Sequence, residues 1–489
     1  MGSVKQQMTK GVFWTALDKY TNAIISLIIS MVLARLLTPY DFGVVATASV
    51  FLAFLTLFTS IGIAPAIIQR KDLTDDEVDH IFTFTILLGL VIGGIFFISS
   101  WPIADFYDND LLRPVIQILS LGLFLSAMNI VPAALMSKNL RFKQMATRSI
   151  AFNVFFGIVG VLAAFLGAGV FALVCPQIIA SLCTFFYNRH FYPVHIKFPL
   201  SFAPIQKIFS YSIFVFFTSF GSYLGRNLDK LIIGKTLSAD ALGYYDKSYR
   251  LMQYPMTYIT SVVSPVMQPI LSNFQDNLAE LSAKYTKIVS IIATLSFPVA
   301  VILFFAAEDI IIVMYGEMWT PAVPSFKILT LSIPVTLICN TLGVVFMSCN
   351  ATKEMFFLSL LGYPFFFFVY GYAMFVGKSI ESFAWAWVIN EYFVFALDYY
   401  VLYRRLLHQP MRPFLRALKY PFISSAILVI IYMFLNLLIP HDLYHLLQLI
   451  IRGTIGVGFV LCFLKFTNQF DAYKYVKEKL SHKETPDLR

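Results

Sequence analysis

Four of the charged residues inside two neighbouring apolar stretches of this chain are candidates for ligand binding, because a charge buried in an apolar environment is unfavourable. Arg226, Asp229 and Lys230 are spaced i, i+3 and i+4, so in a helix they share one face. Arg250 follows in the next stretch; helix geometry places Arg226 roughly 24 Å along the first helix and Arg250 about 14 Å into the second, at similar depth. Guanidinium groups bind phosphate oxygens bidentately, so the cluster predicts a site for a diphosphate. The alternative is that Arg226 pairs only with Asp229 while Lys230 extends to the membrane surface.

A second charged group lies near the amino terminus. Asp18, Lys19 and Asn22 fall about 10 Å from the inner end of the first apolar helix. They are predicted to form an inner counterpart of the first cluster, with Lys19 as a further diphosphate-binding cation. The alternative is an interfacial ion pair between Asp18 and Lys19. Asp229 and Asp18 are the predicted pairing partners of the neighbouring cations.

Tyrosines crowd the stretch that carries Arg250. A tyrosine offers an apolar face to a sugar ring and a hydroxyl to its polar edge, so Tyr254 and Tyr258 are predicted to line a glycan path. Tyr244 and Tyr245 lie at the outer boundary of the stretch, where they are predicted to be interfacial anchors.

Two carboxylates lie in a later apolar stretch. Glu391 falls near its middle, and Asp398 follows seven residues later on the same helix face. A carboxylate inside a membrane is by default a candidate for proton or cation binding. Glu391 and Asp398 are therefore predicted to bind a coupling ion, either a proton or sodium, and no other cofactor and no metal site are expected. For Asp398 the alternative is an ion pair with Arg404.

The composition indicates that these residues lie in a membrane protein. Of the 489 residues, 58% are hydrophobic and 13% are charged, and the mean hydropathy is +0.75. A soluble domain carries about 25% charged residues, so most of this chain must face lipid or other helices. Apolar runs of roughly 20 residues without alternation predict an all-α integral membrane protein with fourteen transmembrane helices. The predicted spans are 12–36, 42–66, 81–104, 112–135, 146–167, 169–192, 208–233, 241–271, 284–307, 325–348, 354–376, 380–403, 417–439 and 446–467.

The positive charge predicts the orientation. Most of the 36 Lys and Arg residues fall on one side of the membrane if the amino terminus is cytoplasmic, and the opposite loops are short and comparatively acidic. The positive-inside rule then places both termini in the cytoplasm. The net charge of +9 is explained by this topology, so a nucleic-acid partner is not expected.

An internal repeat divides the spans into two groups. Arg35-Leu36-Leu37-Thr38 with Gly43 returns 200 residues later as Lys235-Thr236-Leu237-Ser238 with Gly243, and Asn129 returns as Asn340 at offset 211. The repeat predicts two parallel six-helix lobes, at 1–200 and 201–406. Two extra helices follow at 407–467. The tail at 468–489 has Phe470, Tyr473, Val476 and Leu480 at helical spacing among lysines, which predicts a cytoplasmic amphipathic helix.

Several segments also resemble a known family. The resemblance is carried by Ala34-Arg35-Leu36-Leu37-Thr38-Pro39-Tyr40-Asp41-Phe42-Gly43, by Leu228-Asp229-Lys230-Leu231-Ile232-Ile233-Gly234-Lys235 and by Ser248-Tyr249-Arg250-Leu251. They are similar to the Wzx-type polysaccharide transporters, typified by the colanic acid exporter, within the multidrug/oligosaccharidyl-lipid/polysaccharide (MOP) flippase superfamily. The resemblance implies two six-helix lobes that form a V around a central cavity, with two further helices.

The resemblance also implies a function. It is that of a bacterial inner-membrane flippase that moves undecaprenyl-diphosphate-linked oligosaccharide repeat units from the cytoplasmic to the periplasmic leaflet by alternating access, for export of a surface polysaccharide. Expected partners are this lipid-linked oligosaccharide, membrane lipids, and a polysaccharide polymerase with its export machinery. Two alternatives stay open. An ion-coupled drug antiporter of the same superfamily would need an acidic cavity, and a membrane-embedded polymerase or glycosyltransferase would need a substantial outer loop; the chain is expected not to be an enzyme.

Overall fold

The computed structural model describes residues 2–60, 62–70, 72–201, 223, 225–349, 351–438 and 443–467. Every regular element in these ranges is helical, and the described residues contain no β-strand. The prediction of an all-α protein is confirmed. Two sequence predictions fall on other residues: the amphipathic tail at 468–489 and the first part of the span at 208–233 lie outside the described residues.

The helices are numbered in chain order. The first nine are α1 (Gly2–Leu36), α2 (Pro39–Ser60), α3 (Ile63–Gln69), α4 (Asp75–Tyr107), α5 (Leu112–Lys138), α6 (Phe142–Phe165), α7 (Phe171–Phe191), α8 (described over 225–236) and α9 (Ala239–Ser272). The remaining ten are α10 (Leu278–Phe305), α11 (Ala307–Tyr315), α12 (Val323–Thr330), α13 (Ile333–Cys339), α14 (Leu342–Ser348), α15 (Thr352–Tyr372), α16 (Ile380–Val401), α17 (Arg412–Ala417), α18 (Lys419–Leu438) and α19 (His445–Thr467).

Ten of these helical segments are long and apolar enough to cross a membrane, or eleven if one bent pair counts as a single span. All eleven correspond to predicted spans. Of the three others, the span at 208–233 is only partly described, while α9 and α16 are long enough but are not among the candidate spans. Both helices carry charged residues within the predicted span, among them Arg250 and Glu391. The protein is a multi-pass membrane protein, and the count of fourteen stays a prediction.

The bent pair interrupts the predicted span at 325–348. Helical segments Glu317–Thr330 and Ile333–Ser348 meet at an angle of 51°. Pro334 stands just after the break, where its missing N–H and its ring prevent an α-helix from continuing. The chain turns instead through the Leu331 and Ser332 N–H groups, which donate to the Ile328 and Leu329 carbonyls at 3.1 and 3.0 Å.

The chain packs into two compact units, Met1–Asp246 and Lys247–Arg489. The first unit has apolar clusters of buried side chains from α2, α4 and α5, from α3, α4 and α7, and from α1, α6 and α7. In the second unit, α10, α12, α13 and α16 pack around buried residues such as Ile292, Leu329 and Phe383. The boundary between the two units is defined by packing, whereas the predicted lobes at 1–200 and 201–406 were inferred from the repeat in the sequence. The two divisions describe different properties, so the lobe boundaries stay predictions.

The two copies of the repeated motif adopt the same local structure within the first unit. Thr38 starts α2 by accepting from the Asp41 N–H at 3.3 Å, and Ser238 starts α9 by accepting from the Ala241 N–H at 3.1 Å. A hydroxyl that caps a helix in this way satisfies one of its unpaired N–H groups. The motif is therefore a turn between two helices, which explains why its residue types recur.

The glycines of the two motifs lie where α2 and α9 cross. A Cβ added to Gly43 would lie 1.7 Å from the Ala239 carbonyl oxygen, and one added to Gly243 would lie 2.1 Å from the Pro39 carbonyl oxygen. Real Cβ atoms do not approach backbone atoms so closely, so each glycine allows one helix start to contact the other. This contact joins the beginning of the second predicted repeat to the first.

The crossing predicts that Gly43→Ala and Gly243→Ala each destabilise the protein. Because the clash is with backbone atoms, the helices must separate, at a cost of about 1–3 kcal/mol. Gly94 on α4 has nothing within 4 Å of an added Cβ, so Gly94→Ala is the matched control and should be neutral or slightly stabilising. Thermal unfolding of the purified variants in detergent measures the difference. Equal melting temperatures for all three variants would contradict the close crossing.

Candidate functional site

Arg226, the first cation of the predicted diphosphate site, lies on α8 with an exposed side chain. It makes no hydrogen bond or ion pair with any residue that the structure describes. The proposed alternative, in which Arg226 pairs with Asp229, is therefore absent from the described part of the chain. An exposed guanidinium with five donors and no partner among the described residues is able to bind an anion.

Asp229 and Lys230, the next two residues of the cluster, each bind a residue at the start of α9. Asp229 is 1% exposed and accepts hydrogen bonds from the Tyr245 hydroxyl at 2.9 Å and from the Lys230 backbone N–H at 2.8 Å. The Lys230 ammonium forms an ion pair with Asp246 at 2.9 Å, with both side chains nearly buried, at 11% and 7% exposure. Asp246 was not among the residues predicted from the sequence. Counting it lowers the net charge of the predicted cluster from +2 to +1.

The interfacial role predicted for Tyr245 is wrong. Its side chain is fully buried, and its hydroxyl donates a hydrogen bond to Asp229. A tyrosine at a membrane interface keeps its hydroxyl in contact with water, whereas Tyr245 uses it to satisfy a buried carboxylate. Tyr244, its neighbour in the chain, is only partly buried.

Arg250, the third predicted cation, lies on α9 within the second unit, and its side chain is exposed. Tyr254 and Tyr258 follow at four-residue spacing, so the three side chains share one face of the helix. The two tyrosine rings are stacked, with centroids 6.4 Å apart and planes within 5°. A guanidinium followed by two parallel aromatic rings can bind a charged group that carries a sugar.

Lys247, which the sequence analysis did not single out, is buried near the start of the second unit. Its ammonium lies 4.8 Å from the centre of the Tyr315 ring and 5.7 Å from that of Trp319. Aromatic faces stabilise a desolvated cation in this arrangement. The sequence signal was available, since Tyr315 and Trp319 are four residues apart, but Lys247 could not be matched to them without the fold.

Lys19, the predicted inner cation, is exposed and makes no hydrogen bond or ion pair with the described residues. The alternative ion pair between Asp18 and Lys19 is likewise absent there. Asp18 instead accepts a hydrogen bond from the Asn22 amide at 2.6 Å. The amide of Asn22 also donates to Ser149 on α6 at 2.9 Å, so the polar residues of α1 point towards α6.

Glu391, the predicted ion-coupling residue, is half-buried on α16. It accepts a hydrogen bond from the Thr336 hydroxyl of α13 at 2.8 Å. Thr336 belongs to the first turn of the helix that starts after the break at Pro334. Broken helices expose backbone carbonyl groups, and in transporters such breaks contribute oxygen ligands for a coupling ion. The structure therefore places a carboxylate and a hydroxyl beside a discontinuous helix.

Asp398 lies on the same helix as Glu391, two turns further on, and is half-buried. Its side chain forms no ion pair with Arg404 and makes no hydrogen bond to the described residues. Cys339 at the end of α13 lies near enough to both carboxylates to interact with them electrostatically. The five cysteines of the chain are free thiols.

Arg452 on α19, which looks isolated in the sequence, is paired in the structure. It forms an ion pair with the buried carboxylate of Asp309 on α11 and donates to the Phe305 carbonyl at 2.9 Å. His445 approaches the same carboxylate with its Nδ1 at 2.8 Å. Because these residues belong to α10, α11 and α19, they attach a carboxy-terminal helix to the rest of the second unit.

Comparisons with known proteins show the family to which the chain belongs. A family model described as "Polysaccharide biosynthesis protein" matches residues 32–324, more than half of the sequence. The chain belongs to this polysaccharide biosynthesis family. The match includes α8 and α9, and therefore Arg226, Lys230 and Arg250, but not Glu391 or Asp398.

One relative and two solved structures extend the comparison beyond the family model. The lipopolysaccharide biosynthesis protein WzxC of Escherichia coli is 24% identical over 88% of both chains. The solved structure of a lipid II flippase, MurJ, in an inward closed conformation has a TM-score of 0.75 and 16% identity, covering 93% of this chain and 98% of its own. A multidrug MATE transporter of the MOP superfamily has a TM-score of 0.58 and 14% identity, covering 77% and 93%.

Membership of the polysaccharide biosynthesis family and the similarity to WzxC agree with the predicted resemblance to the Wzx-type transporters, and the fold is similar to that of a transporter of the MOP superfamily. The proteins that the chain resembles are described as acting in transport or in polysaccharide biosynthesis, which agrees with the prediction that it is not an enzyme. The likeness to the two solved structures shows the fold, and the cargo must be argued from the charged residues.

The ion pair between Lys230 and Asp246 predicts a specific pattern of stability. Lys230→Met or Asp246→Leu alone leaves a nearly buried charge unpaired and should cost about 3–5 kcal/mol. The double substitution removes both charges and should recover most of this loss. Thermal unfolding in detergent of the two single variants and the double variant measures the coupling energy, and additive losses would contradict a direct pair.

Transport by the double variant separates two roles of Lys230. A stable double variant that transports at the wild-type rate would assign Lys230 to structure. A stable double variant that does not transport would support the predicted contact with the cargo.

Proposed function

We propose that the protein is a flippase that moves undecaprenyl-diphosphate-linked oligosaccharide repeat units from the cytoplasmic to the periplasmic leaflet, for export of a surface polysaccharide. The observation that carries the proposal is Arg226, an exposed guanidinium on a predicted membrane helix, without a hydrogen-bond or ion-pair partner among the described residues. It occurs in a chain of the polysaccharide biosynthesis family whose fold is also that of a lipid II flippase.

The diphosphate is the part of the cargo that requires a cation. A charged side chain in the hydrocarbon region costs several kcal/mol unless it is paired, so such cations are rare and mark ligand pathways. A guanidinium binds phosphate through two parallel hydrogen bonds. Arg226 and Arg250 are the proposed diphosphate ligands. Lys230 would become a third ligand when its ammonium leaves Asp246 and binds the diphosphate instead. Lys19 is the proposed diphosphate-binding cation at the inner leaflet.

The glycan is proposed to follow the aromatic face of α9. Tyr254 and Tyr258 lie one and two turns beyond Arg250 on its own face, and their rings are stacked. A sugar attached to a phosphate at Arg250 would meet these rings. The tyrosine faces would contact its C–H groups, and the hydroxyls would bind its polar edge.

Transport is proposed to proceed by alternating access and to use an ion gradient. The proposed site is Glu391, supported by the Thr336 hydroxyl and the helix break before α13, with Asp398 as a second acidic residue. Either a proton or sodium would suit a carboxylate beside a hydroxyl. The described residues contain no cluster of three or more His, Cys, Asp or Glu side chains that could hold a metal ion. The proposed coupling ion at the two carboxylates is monovalent.

The proposed location is the bacterial inner membrane, with both termini in the cytoplasm. The distribution of Lys and Arg along the sequence supports this orientation. It places the polysaccharide polymerase and the export machinery, as expected partners, on the periplasmic side where the cargo is released.

The charge of the proposed site argues against drug transport, although a multidrug transporter has a related fold. A cationic drug requires acidic residues, and Arg226 and Arg250 are exposed cations. Glu391 and Asp398 are acidic, but each interacts with residues of its own unit and is assigned to the ion. A cell that lacks this protein and becomes drug-sensitive without accumulating lipid-linked glycan would favour the antiporter.

The proposed cargo site predicts that Arg250→Ala is made and inserted normally but does not flip the glycan. Loss of charge-assisted hydrogen bonds worth roughly 1.5–3 kcal/mol lowers affinity about tenfold or more. Mass spectrometry of lipid-linked oligosaccharide, with protection from an impermeant enzyme to assign the leaflet, should show accumulation on the cytoplasmic side. Arg250→Lys should recover part of the activity, because a point charge does not reproduce the guanidinium fork.

Arg416→Ala is the control for this experiment, since Arg416 is an exposed arginine on the short helix α17. It should behave as the wild type. Export at the wild-type rate by Arg250→Ala would remove Arg250 from the site.

The proposed ion site predicts that Glu391→Gln keeps its contact with Thr336 but loses the coupling charge. Flipping should fall and should no longer depend on the proton or sodium gradient, measured in vesicles with one gradient imposed at a time. Glu354→Gln removes a carboxylate from an exposed position on α15 and is the matched control. An unchanged rate with unchanged gradient dependence in Glu391→Gln would assign Glu391 to structure.

A further inference from the structure

Arg148 is a cation in the first unit that the flippase proposal does not use. It lies six residues into α6, about 9 Å from the start of this helix, in the half of the membrane that the sequence predicts to be cytoplasmic. Its side chain is half-buried between α6 and α7, and the guanidinium lies 5.8 Å from the centre of the Tyr187 ring. A half-buried cation at this depth needs either an anionic partner or access to water.

One group of polar residues holds this guanidinium from α5 and α7. The Nη1 of Arg148 donates to the side-chain oxygen of Asn188, which is fully buried. The Asn188 amide donates in turn to the side-chain oxygen of Asn129 on α5 at 2.8 Å. These bonds fix one edge of the guanidinium.

A second polar group comes from α1 and the next turns of α6. Asn22 donates to Asp18 at 2.6 Å and to Ser149 at 2.9 Å, and it accepts from the Asn153 amide at 2.8 Å. Asp18 lies close enough to act electrostatically on Arg148, yet no ion pair joins the two residues. The negative charge of Asp18 thus partly offsets the positive charge of Arg148, although Asp18 does not bind the guanidinium directly.

The opposite edge of the guanidinium makes no hydrogen bond to the described residues. The Arg148 Nε is buried and has no hydrogen-bond partner among the described residues, and Nη2 makes no hydrogen bond to them. Nε and Nη2 point in the same direction, and this edge forms two parallel hydrogen bonds with a phosphate or carboxylate. A buried donor without an acceptor is destabilising, so an acceptor of this kind would be stabilising.

We propose that the Nε–Nη2 edge of Arg148 binds a phosphate oxyanion in the cytoplasmic half of the first unit, with Asn188 holding the guanidinium in place. Two lipids carry this chemistry at that depth: the diphosphate-linked cargo and an anionic phospholipid. Assignment to the cargo rests on the flippase function proposed above. It would give the protein a loading site at the leaflet where the cargo is made, in addition to the cations of α8 and α9.

The proposal predicts that Arg148→Gln weakens phosphate binding. Purified full-length protein in detergent would be titrated with undecaprenyl diphosphate, and separately with phosphatidylglycerol, and the bound lipid counted by native mass spectrometry. Loss of the two-bond contact should reduce the affinity for the preferred lipid about tenfold or more. Arg148→Lys keeps the charge and should bind with intermediate affinity, which also serves if the glutamine variant does not fold.

Arg141→Gln is the matched control, because Arg141 is an exposed arginine at the start of the same helix. It should leave both affinities unchanged. A loss in Arg148→Gln that is confined to undecaprenyl diphosphate supports a cargo site. A loss that includes phosphatidylglycerol supports the phosphate site and assigns it to membrane lipid.

Wild-type binding of both lipids by folded Arg148→Gln would overturn the proposal and leave Arg148 as a structural contact of Asn188. This result is independent of the flippase function. The function fails if cells without the protein accumulate no lipid-linked glycan, whatever Arg148 binds in detergent.

Discussion

The hydrocarbon core of a membrane cannot solvate charge, and this constraint determines how the polar residues of this protein are arranged. Each charged side chain in a membrane helix must be paired, reach water or meet a ligand. The structure pairs Lys230 with Asp246 and Arg452 with Asp309, and it satisfies Asp229 with the Tyr245 hydroxyl. These contacts are stabilising mainly because breaking them would leave an unpaired charge in the membrane.

The same constraint gives meaning to the charges that are not satisfied in this way. Arg226 makes no side-chain hydrogen bond or ion pair with the described residues, and Arg148 uses only one edge of its guanidinium in hydrogen bonds to them. Both could have been neutralised by a neighbouring carboxylate, as Lys230 and Arg452 are. Some membrane cations are paired with carboxylates and stabilise the structure. Others have donors without a protein acceptor among the described residues, and these donors are available to a ligand. That separation needs the structure, because Arg226 and Lys230 are four residues apart and look alike in the sequence.

The helices could be predicted because each apolar run must satisfy its own backbone hydrogen bonds, so a helix is the local solution. The break before α13 was less accessible: Pro334 is visible in the sequence, but many membrane helices contain a proline and continue, as α4 does at Pro102. The partners of charged residues were mostly missed, since Asp309 and Arg452 are far apart in the chain and meet only when α11 packs on α19. Tyr245 was misassigned for the same reason. Its position near a helix end indicates an interface, and only the fold brings Asp229 to its hydroxyl.

The repeated motif shows how a short sequence signal can carry both local and tertiary information. Thr38 and Ser238 recur because each starts a helix, and this could be recognised from their types. Gly43 and Gly243 recur for a different reason, because each lies against the backbone of the other motif. A residue larger than glycine at either position would separate α2 from α9, and the start of α9 carries Tyr245 and Asp246. The close crossing therefore helps to hold Tyr245 and Asp246, the partners of Asp229 and Lys230, in place. In this way the repeated glycines support the charge arrangement of α8. Within that arrangement Arg226 is the cation without a partner among the described residues.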